Sequence, residues 1–114
     1  MSDFEYVYNF PKQIQDRIDA GIGCGSGVGP GWLDIIIELD AKIAETNPDY
    51  KIDQIKEKFG DLRFYTNEID EAGYDAITEA EHKSAVTCEL CGAEGQSSSR
   101  GGWIVTRCEE HKEI

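Results

Sequence analysis

The sequence predicts an α+β fold, and three stretches of the chain carry this prediction. A segment beginning at residue 31 has the apolar spacing of an amphipathic helix, and residues 50–67 have the alternation and the glycine turn of a β-hairpin. The last part of the chain holds four metal-ligand side chains at zinc spacing. We therefore expect an amphipathic helix packed on a small antiparallel hairpin or sheet, a second helix, and a C-terminal zinc ribbon or truncated treble clef.

Length and composition favour one small folded unit with a metal-stabilised extension. The chain has 114 residues, of which 39% are hydrophobic, and this is enough for a modest core. The C-terminal part alone would bury too little apolar surface to fold without a metal. We predict an α+β body over residues 1–87, with a glycine-rich loop at 21–31, and a zinc-stapled hairpin module over residues 88–114.

The chain is acidic along its whole length. Its 11 basic and 23 acidic side chains give a net charge of −12, and no segment is basic. An acidic surface repels nucleic acid and anionic membranes, so we expect no direct binding to DNA or RNA and no membrane association. The same charge suits a protein partner with a basic surface, although the need for solubility would also explain it.

Two helices are predicted in the first half of the chain. The shorter one runs from Lys12 to Ala20 and begins directly after Pro11. The longer one runs from about Gly31 to Glu45 and ends before an Asn-Pro pair, which cannot continue a helix. Its apolar stripe, which we assign to the core, comprises Trp32, Ile35, Ile36, Leu39 and Ile43.

Residues 21–31 alternate glycine with single other residues, and such a glycine content excludes a helix. The segment lacks the preceding strand, the spacing and the Gly-Lys-Ser/Thr sequence of a phosphate-binding loop. A flexible surface loop is the simpler interpretation. A loop that binds an anionic ligand or a partner through its backbone amides is the alternative, because a helix follows directly. Cys24, within this loop, is interpreted as a thiol without a metal role.

Residues 50–67 predict a β-hairpin with its turn at Gly60-Asp61. Residues 62–66 form a good strand, because aromatic and branched side chains alternate there. Residues 50–58 are a weaker strand, since their apolar side chains do not keep a period of two, and a partly helical conformation is the alternative. The predicted core side chains are Phe59, Leu62 and Phe64, and the predicted surface side chains are Lys58, Arg63 and Tyr65.

A second, acidic helix is predicted within residues 68–86, where a thin apolar stripe recurs at helical spacing. Gly73 disfavours a helix interior, so we expect the helix to start nearer Asp75. His82, on this helix, is expected at the surface.

Cys88, Cys91, Cys108 and His111 have the spacing of a zinc site. The C-x2-C pair and the C-x2-H pair can each form a turn, and together they can close a tetrahedron around Zn²⁺. Four protein ligands leave no open position for water, so the predicted zinc is structural. Between the two pairs we expect a polar, mobile segment over residues 95–102, followed by a strand that leads back to the metal.

The sequence contains no recognisable catalytic constellation. It has two histidines, of which one is assigned to the metal, and no spacing provides an oriented base for a nucleophile. We therefore predict a non-enzymatic protein without catalytic residues. The acidic N-terminus lacks the apolar core of a signal peptide, and paired metal-ligand thiols favour a reducing compartment, so the expected location is the cytoplasm.

Three segments together resemble a group of small phage and prophage proteins. The segments are KEKFGDLRFY, residues 56–65, then CELCGAEG and GWIVTRCEEH. The group carries KEKFG-x-LRFY, CE-x-CG-x-x-G and GW-x-x-T-x-C-x-x-H, and the GPGW at residues 29–32 also fits. Asp61 departs from the pattern, where a second glycine is expected. The resemblance covers residues 29–111 and implies a phage-related origin and a zinc-binding C-terminus, but no activity.

Charge, metal site and resemblance lead to three hypotheses. The first is a protein that binds a host protein as an anti-defence inhibitor, such as an anti-CRISPR protein, by presenting carboxylates in place of nucleic-acid phosphates. Its candidate contacts are Asp70, Glu71, Asp75 and Glu79. The second is a binder of an anionic nucleotide signal, with candidate contacts Trp32, Arg63, Tyr65 and Arg100. The third is a zinc-module adaptor of host transcription or replication machinery. If the protein is phage-encoded, its compartment is the host cytoplasm.

Overall fold

The structure, a computed structural model, describes residues 10–22 and 25–112. Within these residues it is an α+β fold with three helices and two separate two-stranded antiparallel sheets, which confirms the predicted fold class. None of the described helices is long and apolar enough to cross a membrane. In chain order the elements are α1 Lys12–Asp19, a 3₁₀ turn Pro30–Trp32, α2 Leu33–Thr46, β1 Ile52–Lys58, β2 Asp61–Thr66, α3 Glu71–Ser84, β3 Gln96–Arg100 and β4 Trp103–Arg107.

The two N-terminal helices form where the apolar spacing predicts them. Helix α1 buries Ile14 and Ile18 on one face. Helix α2 is preceded by the 3₁₀ turn, so the α-helix itself begins two residues later than predicted. The predicted core stripe is confirmed, because all its side chains are at most 7% exposed: Trp32, Ile35, Ile36, Leu39 and Ile43.

Strand β1 is extended throughout, so the partly helical alternative is wrong. Ile52 and Ile55 are both fully buried although they are three residues apart. The pairing of β1 with β2 shifts between Ile52 and Gln54, and this irregularity turns both isoleucines toward the same side. The broken apolar period therefore reflects a bulge in a strand rather than a helix.

The turn of the first hairpin lies at Phe59-Gly60, one residue before the predicted Gly60-Asp61, because Lys58 pairs with Asp61. Both turn residues have positive φ, 56° at Phe59 and 81° at Gly60, as in a type I′ turn. A left-handed conformation costs a residue with a Cβ about 1–2 kcal/mol. The assignment of Phe59 to the core is also wrong, since the residue is 61% exposed, whereas Leu62 and Phe64 are buried as predicted.

Helix α3 begins at Glu71, four residues before the predicted start near Asp75. The carboxylate of Asp70 caps it by accepting a hydrogen bond from the backbone N–H of Gly73 at 2.8 Å. Gly73 is buried on the helix, and a Cβ there would lie 2.7 Å from the Cδ1 of Ile69, whose side chain would have to shift. The expectation failed because the Asp70 cap and the packing of the helix outweigh the low helix propensity of one glycine. His82 is exposed, as predicted.

Helices α2 and α3 pack against each other in opposite directions. Lys42 Nζ lies 3.2 Å from a carboxylate oxygen of Glu79, and Lys83 Nζ lies 3.6 Å from Glu38. At the other end of the pair, the Asn47 amide of the segment after α2 donates to the Asp70 cap of α3 at 2.8 Å. The helix pair thereby covers the apolar side of the first hairpin, with Ile77 and Ala80 of α3 in the same core.

Residues 95–102, predicted to be polar and mobile, contain strand β3 instead. All five residues of β3 pair with β4, from Gln96 opposite Arg107 to Arg100 opposite Trp103. The turn is Gly101-Gly102, again with positive φ at both residues, 62° and 88°. A serine-rich segment has weak strand propensity, but an adjacent strand supplies the hydrogen bonds regardless of side chain. The predicted strand that leads to Cys108 is confirmed as β4.

A buried ionic network joins α1, α2 and the segment before β1. Asp40 is 1% exposed and receives hydrogen bonds from Arg17 Nε at 2.7 Å, from the Tyr50 hydroxyl and from the Gln13 amide. The Arg17 guanidinium also lies 4.3 Å from the centre of the Tyr50 ring. A charge that is buried in this way is tolerated because it is both paired and hydrogen-bonded.

The stability of the protein should fall at alkaline pH because of Tyr50. Burial first, and then the hydrogen bond to Asp40, raise the pKa of Tyr50 far above its ordinary value of 10.0. The unfolded chain therefore releases the phenolic proton at lower pH than the folded protein does. The stabilising contribution is complete below about pH 10 and is lost as pH rises further, with a slope approaching about 1.4 kcal/mol per pH unit.

Urea unfolding between about pH 9 and pH 11 measures this loss, with Tyr50→Phe as the matched variant. The variant should show a flatter pH dependence, although it is less stable at neutral pH because it cannot donate to Asp40. Parallel curves for the two proteins would contradict the prediction.

Candidate metal centre

The first pair of ligands lies on a tight turn. The backbone N–H of Gly92 donates to the carbonyl of Cys88 at 2.9 Å, and the N–H of Cys88 donates to the carbonyl of Ala93 at 2.8 Å. Gly92 has φ of 82°, a left-handed conformation that glycine adopts without strain. The turn therefore directs the side chains of Cys88 and Cys91 toward one point. We refer to residues 88–92 as the knuckle.

The second pair of ligands follows strand β4. Cys108 is the first residue after the strand, and the N–H of His111 donates back to the Cys108 carbonyl at 3.1 Å. This turn brings the imidazole of His111 next to the thiols of Cys88 and Cys108. Cys88 and Cys108 are buried, His111 is half-buried and Cys91 is exposed, so the centre lies at the edge of the fold rather than deep within it.

The four ligand atoms lie within 4.8 Å of one another, so the structure brings together the predicted set and can hold a metal ion. Cys91 Sγ is 3.6 Å from Cys108 Sγ, and His111 Nδ1 is 3.6 Å from Cys88 Sγ and 3.2 Å from Cys108 Sγ. Zinc–ligand bonds of about 2.3 Å to sulfur and about 2.0 Å to nitrogen give tetrahedral separations of about 3.8 Å between sulfurs and about 3.5 Å between sulfur and nitrogen. The donor set and its spacing therefore fit a closed Zn²⁺ site.

The thiol of Cys88 is prepared for metal binding by its surroundings. Burial would raise its pKa, but backbone N–H groups of Cys108, Leu90 and Cys91, together with His111, outweigh this effect and lower the pKa to about 6. A thiolate is the form that binds zinc. The local backbone thus favours the ligand form of this cysteine near neutral pH.

A buried ion pair connects the knuckle to strand β4. Glu89, 2% exposed, accepts a hydrogen bond from the backbone N–H of Thr106 at 3.2 Å, and its other carboxylate oxygen lies 3.6 Å from the Arg107 guanidinium. The N–H of Glu89 donates to the carbonyl of Thr106. Burial is the main cause that raises the pKa of the Glu89 carboxyl. The pair ties the first ligand turn to the strand that carries the second.

The end of the glycine-rich segment packs directly on the knuckle. The N–H of Gly31 donates to the Glu89 carbonyl at 2.8 Å, and the indole N–H of Trp32 donates to the carbonyl of Thr87 at 2.9 Å. A Cβ at Gly31 would lie 2.1 Å from the Cys88 carbonyl oxygen, and one at Gly29 would lie 2.2 Å from that of Glu89. These two glycines are therefore required for close approach between the segment and the knuckle.

The interpretation of residues 21–31 as a flexible surface loop is thus wrong for its second half. Val28 is fully buried, and Gly27 forms a parallel bridge with Lys56 of β1. The N–H of Gly31 is engaged by a protein carbonyl, so it is not available to an anionic ligand. Cys24, predicted to have no metal role, lies outside the described residues.

The residues predicted to contact a nucleotide do not form one site. Trp32 is fully buried, which leaves no face of its indole open to a ligand. Arg63 and Tyr65 lie on the outward face of β2, where Arg63 is 3.9 Å from Asp61 and Tyr65 lies under the Lys56 ammonium at 5.9 Å. Arg100 belongs to β3 in the other sheet, and its side chain lies outside the described part of the structure.

The four predicted acidic contacts have different environments. Asp70 is the cap of α3, and hydrogen bonds from Asn47 first, and then from the Gly73 N–H, lower the pKa of its carboxyl. Glu79 is exposed but pairs with Lys42. Glu71 and Asp75 are exposed, and among the described residues neither has an ion-pair partner. Two of the four carboxylates are therefore unneutralised at the surface.

The sequence analysis missed the supports of the centre. Glu89 lies between the two cysteines of the first pair, and Arg107 directly precedes Cys108. Because both ligand turns must meet at the metal, the opposite charges of Glu89 and Arg107 beside these turns indicated that the two residues form an ion pair. The exposure of Phe59 and Trp103 was also missed, although a glycine beside each of them marked a nearby turn.

The geometry defines a small α+β fold with a Cys₃His cluster that can hold a metal ion and that joins the knuckle to the end of β4. Comparisons of the chain with protein families, with curated proteins and with solved structures found no match.

Proposed function

We propose that this protein is a non-enzymatic interaction domain that holds a structural Zn²⁺ and binds a protein partner through a basic surface on that partner. The observation that supports this most directly is the unneutralised acidic start of α3, at Glu71 and Asp75, in a chain with a net charge of −12. The Cys₃His centre has four protein ligands, so its role is to stabilise the fold that presents this surface.

The position of these acids on the helix makes them a coherent contact surface. Glu71, Asp75 and Glu79 are each four residues apart, and at about 1.5 Å of rise per residue they form one row with a spacing of about 6 Å. Glu79 already forms an ion pair with Lys42, so the N-terminal end of the row, at Glu71 and Asp75, is the part that can attract a cationic surface. Long-range attraction would speed association and decline as salt increases.

The narrower proposal is that the protein is of phage origin and inhibits a host defence protein, for example as an anti-CRISPR protein, by nucleic-acid mimicry. The resemblance of residues 29–111 to small phage and prophage proteins supports the origin. Carboxylates on a rigid helix can occupy positions that phosphates take in a basic groove, and this supports the mode of action. Competition between the protein and a nucleic acid for one partner is the property that distinguishes mimicry from other acidic contacts.

The test is capture of partners from bacterial lysate by the zinc-loaded protein at about 50 mM and about 200 mM salt. We expect the captured protein to be released by a DNA or RNA competitor and to bind about tenfold or more weakly to the double variant Glu71→Lys/Asp75→Lys. Affinity should fall steeply between the two salt concentrations, because the interaction is electrostatic.

The matched control is Asp16→Lys/Asp19→Lys on α1, which takes the net charge from −12 to −8 as the α3 variant does. If both variants lose affinity equally, total charge rather than the α3 surface explains binding. Affinity that is independent of salt, or unchanged in the α3 variant, would contradict the proposal. Binding that depends on the α3 acids but resists nucleic acid would contradict only the narrower mimicry proposal.

The two alternatives have less support. The proposal of a nucleotide binder loses one of its two aromatic contacts, because Trp32 is buried. The adaptor proposal predicts salt-resistant capture of polymerase or replication proteins in the same experiment.

A further inference from the structure

The turn of the first hairpin packs against strand β4, and an exposed aromatic cleft lies between the two. The Thr106 hydroxyl of β4 donates to the carbonyl of Gly60 in the first turn at 2.7 Å, and this bond holds the two hairpins together. The cleft beside this contact exposes 61% of Phe59, 66% of Trp103 and 38% of Ile104. Its lining residues are Glu57, Lys58, Phe59, Gly102, Trp103 and Ile104.

Phe59 occupies a position that folding does not favour for a phenylalanine. The equivalent residue of the second hairpin, which has the same two-residue turn with positive φ, is Gly101. Glycine or asparagine is the usual residue at this position, because a bulky side chain is strained there. Phe59 also buries little of its ring. Neither turn geometry nor core packing explains this residue, and such a strained and exposed position indicates a function.

The surroundings of the cleft indicate a cationic occupant. The Lys58 ammonium lies 5.5 Å from the centre of the Phe59 ring, so a cation already rests against this aromatic face. Trp103, whose indole binds cations more strongly than a phenyl ring, is 66% exposed beside it. The carboxylate of Glu57 lies at the rim, where its Oε2 accepts the N–H of Gly60. An arginine side chain can stack on indole and approach a carboxylate at once.

We propose that this cleft binds an arginine side chain of the basic partner, which stacks on Trp103 with Phe59 beside it. The inference rests on the proposed function, because it assigns the apolar anchor of the same interaction. A second copy of this chain is a poorer occupant, since both copies would carry −12 and three side chains cover much less than the about 800 Å² per partner of a stable interface. Exposed aromatic residues and arginine are frequent energetic centres of interfaces.

The test uses fluorescently labelled oligoarginine and oligolysine peptides of equal length, with fluorescence anisotropy as the readout of binding. We expect the wild-type protein to bind oligoarginine more tightly than oligolysine, because the planar, weakly hydrated guanidinium stacks on aromatic rings more favourably than the strongly hydrated ammonium. Phe59→Asn and Trp103→Ser should each weaken oligoarginine binding about tenfold and remove the preference over oligolysine.

Phe59→Asn includes its own control for folding. Asparagine adopts positive φ more readily than phenylalanine, so the variant should melt several degrees higher than the wild type while it binds less well. A variant that is more stable and weaker in binding shows that the phenylalanine is retained for contact. Unchanged oligoarginine affinity in both variants would overturn the inference.

The outcomes separate this inference from the proposed function. If Glu71→Lys/Asp75→Lys weakens binding of oligoarginine but Phe59→Asn and Trp103→Ser do not, the acidic surface acts alone and the cleft is not an anchor. If the cleft variants lose binding but the α3 variant does not, the cleft inference is supported and the α3 surface is not. Concentration-dependent dimers in sedimentation that disappear in Trp103→Ser would overturn the choice of occupant in favour of a second copy.

Discussion

Cys88→Ser is expected to remove the bound zinc and to unfold the C-terminal part of the protein. Cys88 is fully buried at the centre of the ligand cluster, and serine provides no thiolate to complete the tetrahedron. Structural zinc contributes about 10–16 kcal/mol of apparent binding free energy in small zinc-dependent domains, and this binding is coupled to folding. Much less than one zinc per chain should remain, measured by elemental analysis of the purified variant.

Unfolding should spread from the metal centre into the helical body. The contacts of Gly31 and Trp32 with the carbonyls of Glu89 and Thr87 exist only when the knuckle is folded. Hydrogen exchange should therefore lose protection first in β3 and β4, and then increase at the start of α2. Chelation of zinc from the wild-type protein should reproduce this pattern without any substitution.

Two further variants control for this prediction. His111→Cys should retain about one zinc per chain, because four cysteines also form a structural zinc site. Cys24→Ser should retain full zinc content if Cys24 has no metal role. A Cys88→Ser protein that keeps one zinc and unchanged hydrogen-exchange protection would show that the centre is not a zinc site of this kind.

Asp40→Ala is expected to destabilise the protein by about 3–5 kcal/mol, the usual cost of removing one partner from a buried ion pair. The substitution would leave the Arg17 guanidinium without its carboxylate and the Tyr50 hydroxyl without its acceptor. Because total stability of small domains is about 5–15 kcal/mol, such a loss would leave the protein close to unfolding. Urea unfolding monitored by circular dichroism measures the change.

A double-mutant cycle distinguishes the ion pair from loss of packing. The variants are Asp40→Ala, Arg17→Met and their combination, and the coupling between them should be large and favourable, because each residue satisfies the other's buried charge. Asp16→Ala is the matched surface control, since Asp16 is exposed and pairs with Lys12 on its own helix. An Asp40→Ala protein that loses no more stability than this control would contradict the prediction.

Local sequence patterns were sufficient to predict the structure where the pattern depends on a single helix, strand or turn. The apolar stripe of α2 predicted the buried face of that helix because the period of 3.6 residues depends only on the helix itself. The Cys₃His cluster was predictable for the same reason, since each pair lies within one turn and needs only its own spacing. The alternating residues 62–66 likewise identified strand β2.

Predictions failed where a distant segment determined the conformation. The start of α3 depends on Asn47, Ile69 and the cap at Asp70, and Gly73 is suited to that packing although it disfavours a helix in isolation. Strand β3 forms because β4 lies beside it, and Phe59 is exposed because the hairpin turn falls one residue earlier than its glycine suggested. Each outcome depends on pairing or packing between segments.

The sequence by itself determined the α+β class, the main helix, the acidic charge and the members of the Cys₃His cluster, because these properties follow from local spacing and composition. Only the tertiary structure decided that Gly29 and Gly31 serve the knuckle rather than a ligand, and that Trp32 is buried. It alone placed Phe59 and Trp103, which are 44 positions apart, in one exposed cleft. The physical reason is that close approach and burial arise between segments, whereas periodicity describes only one segment at a time.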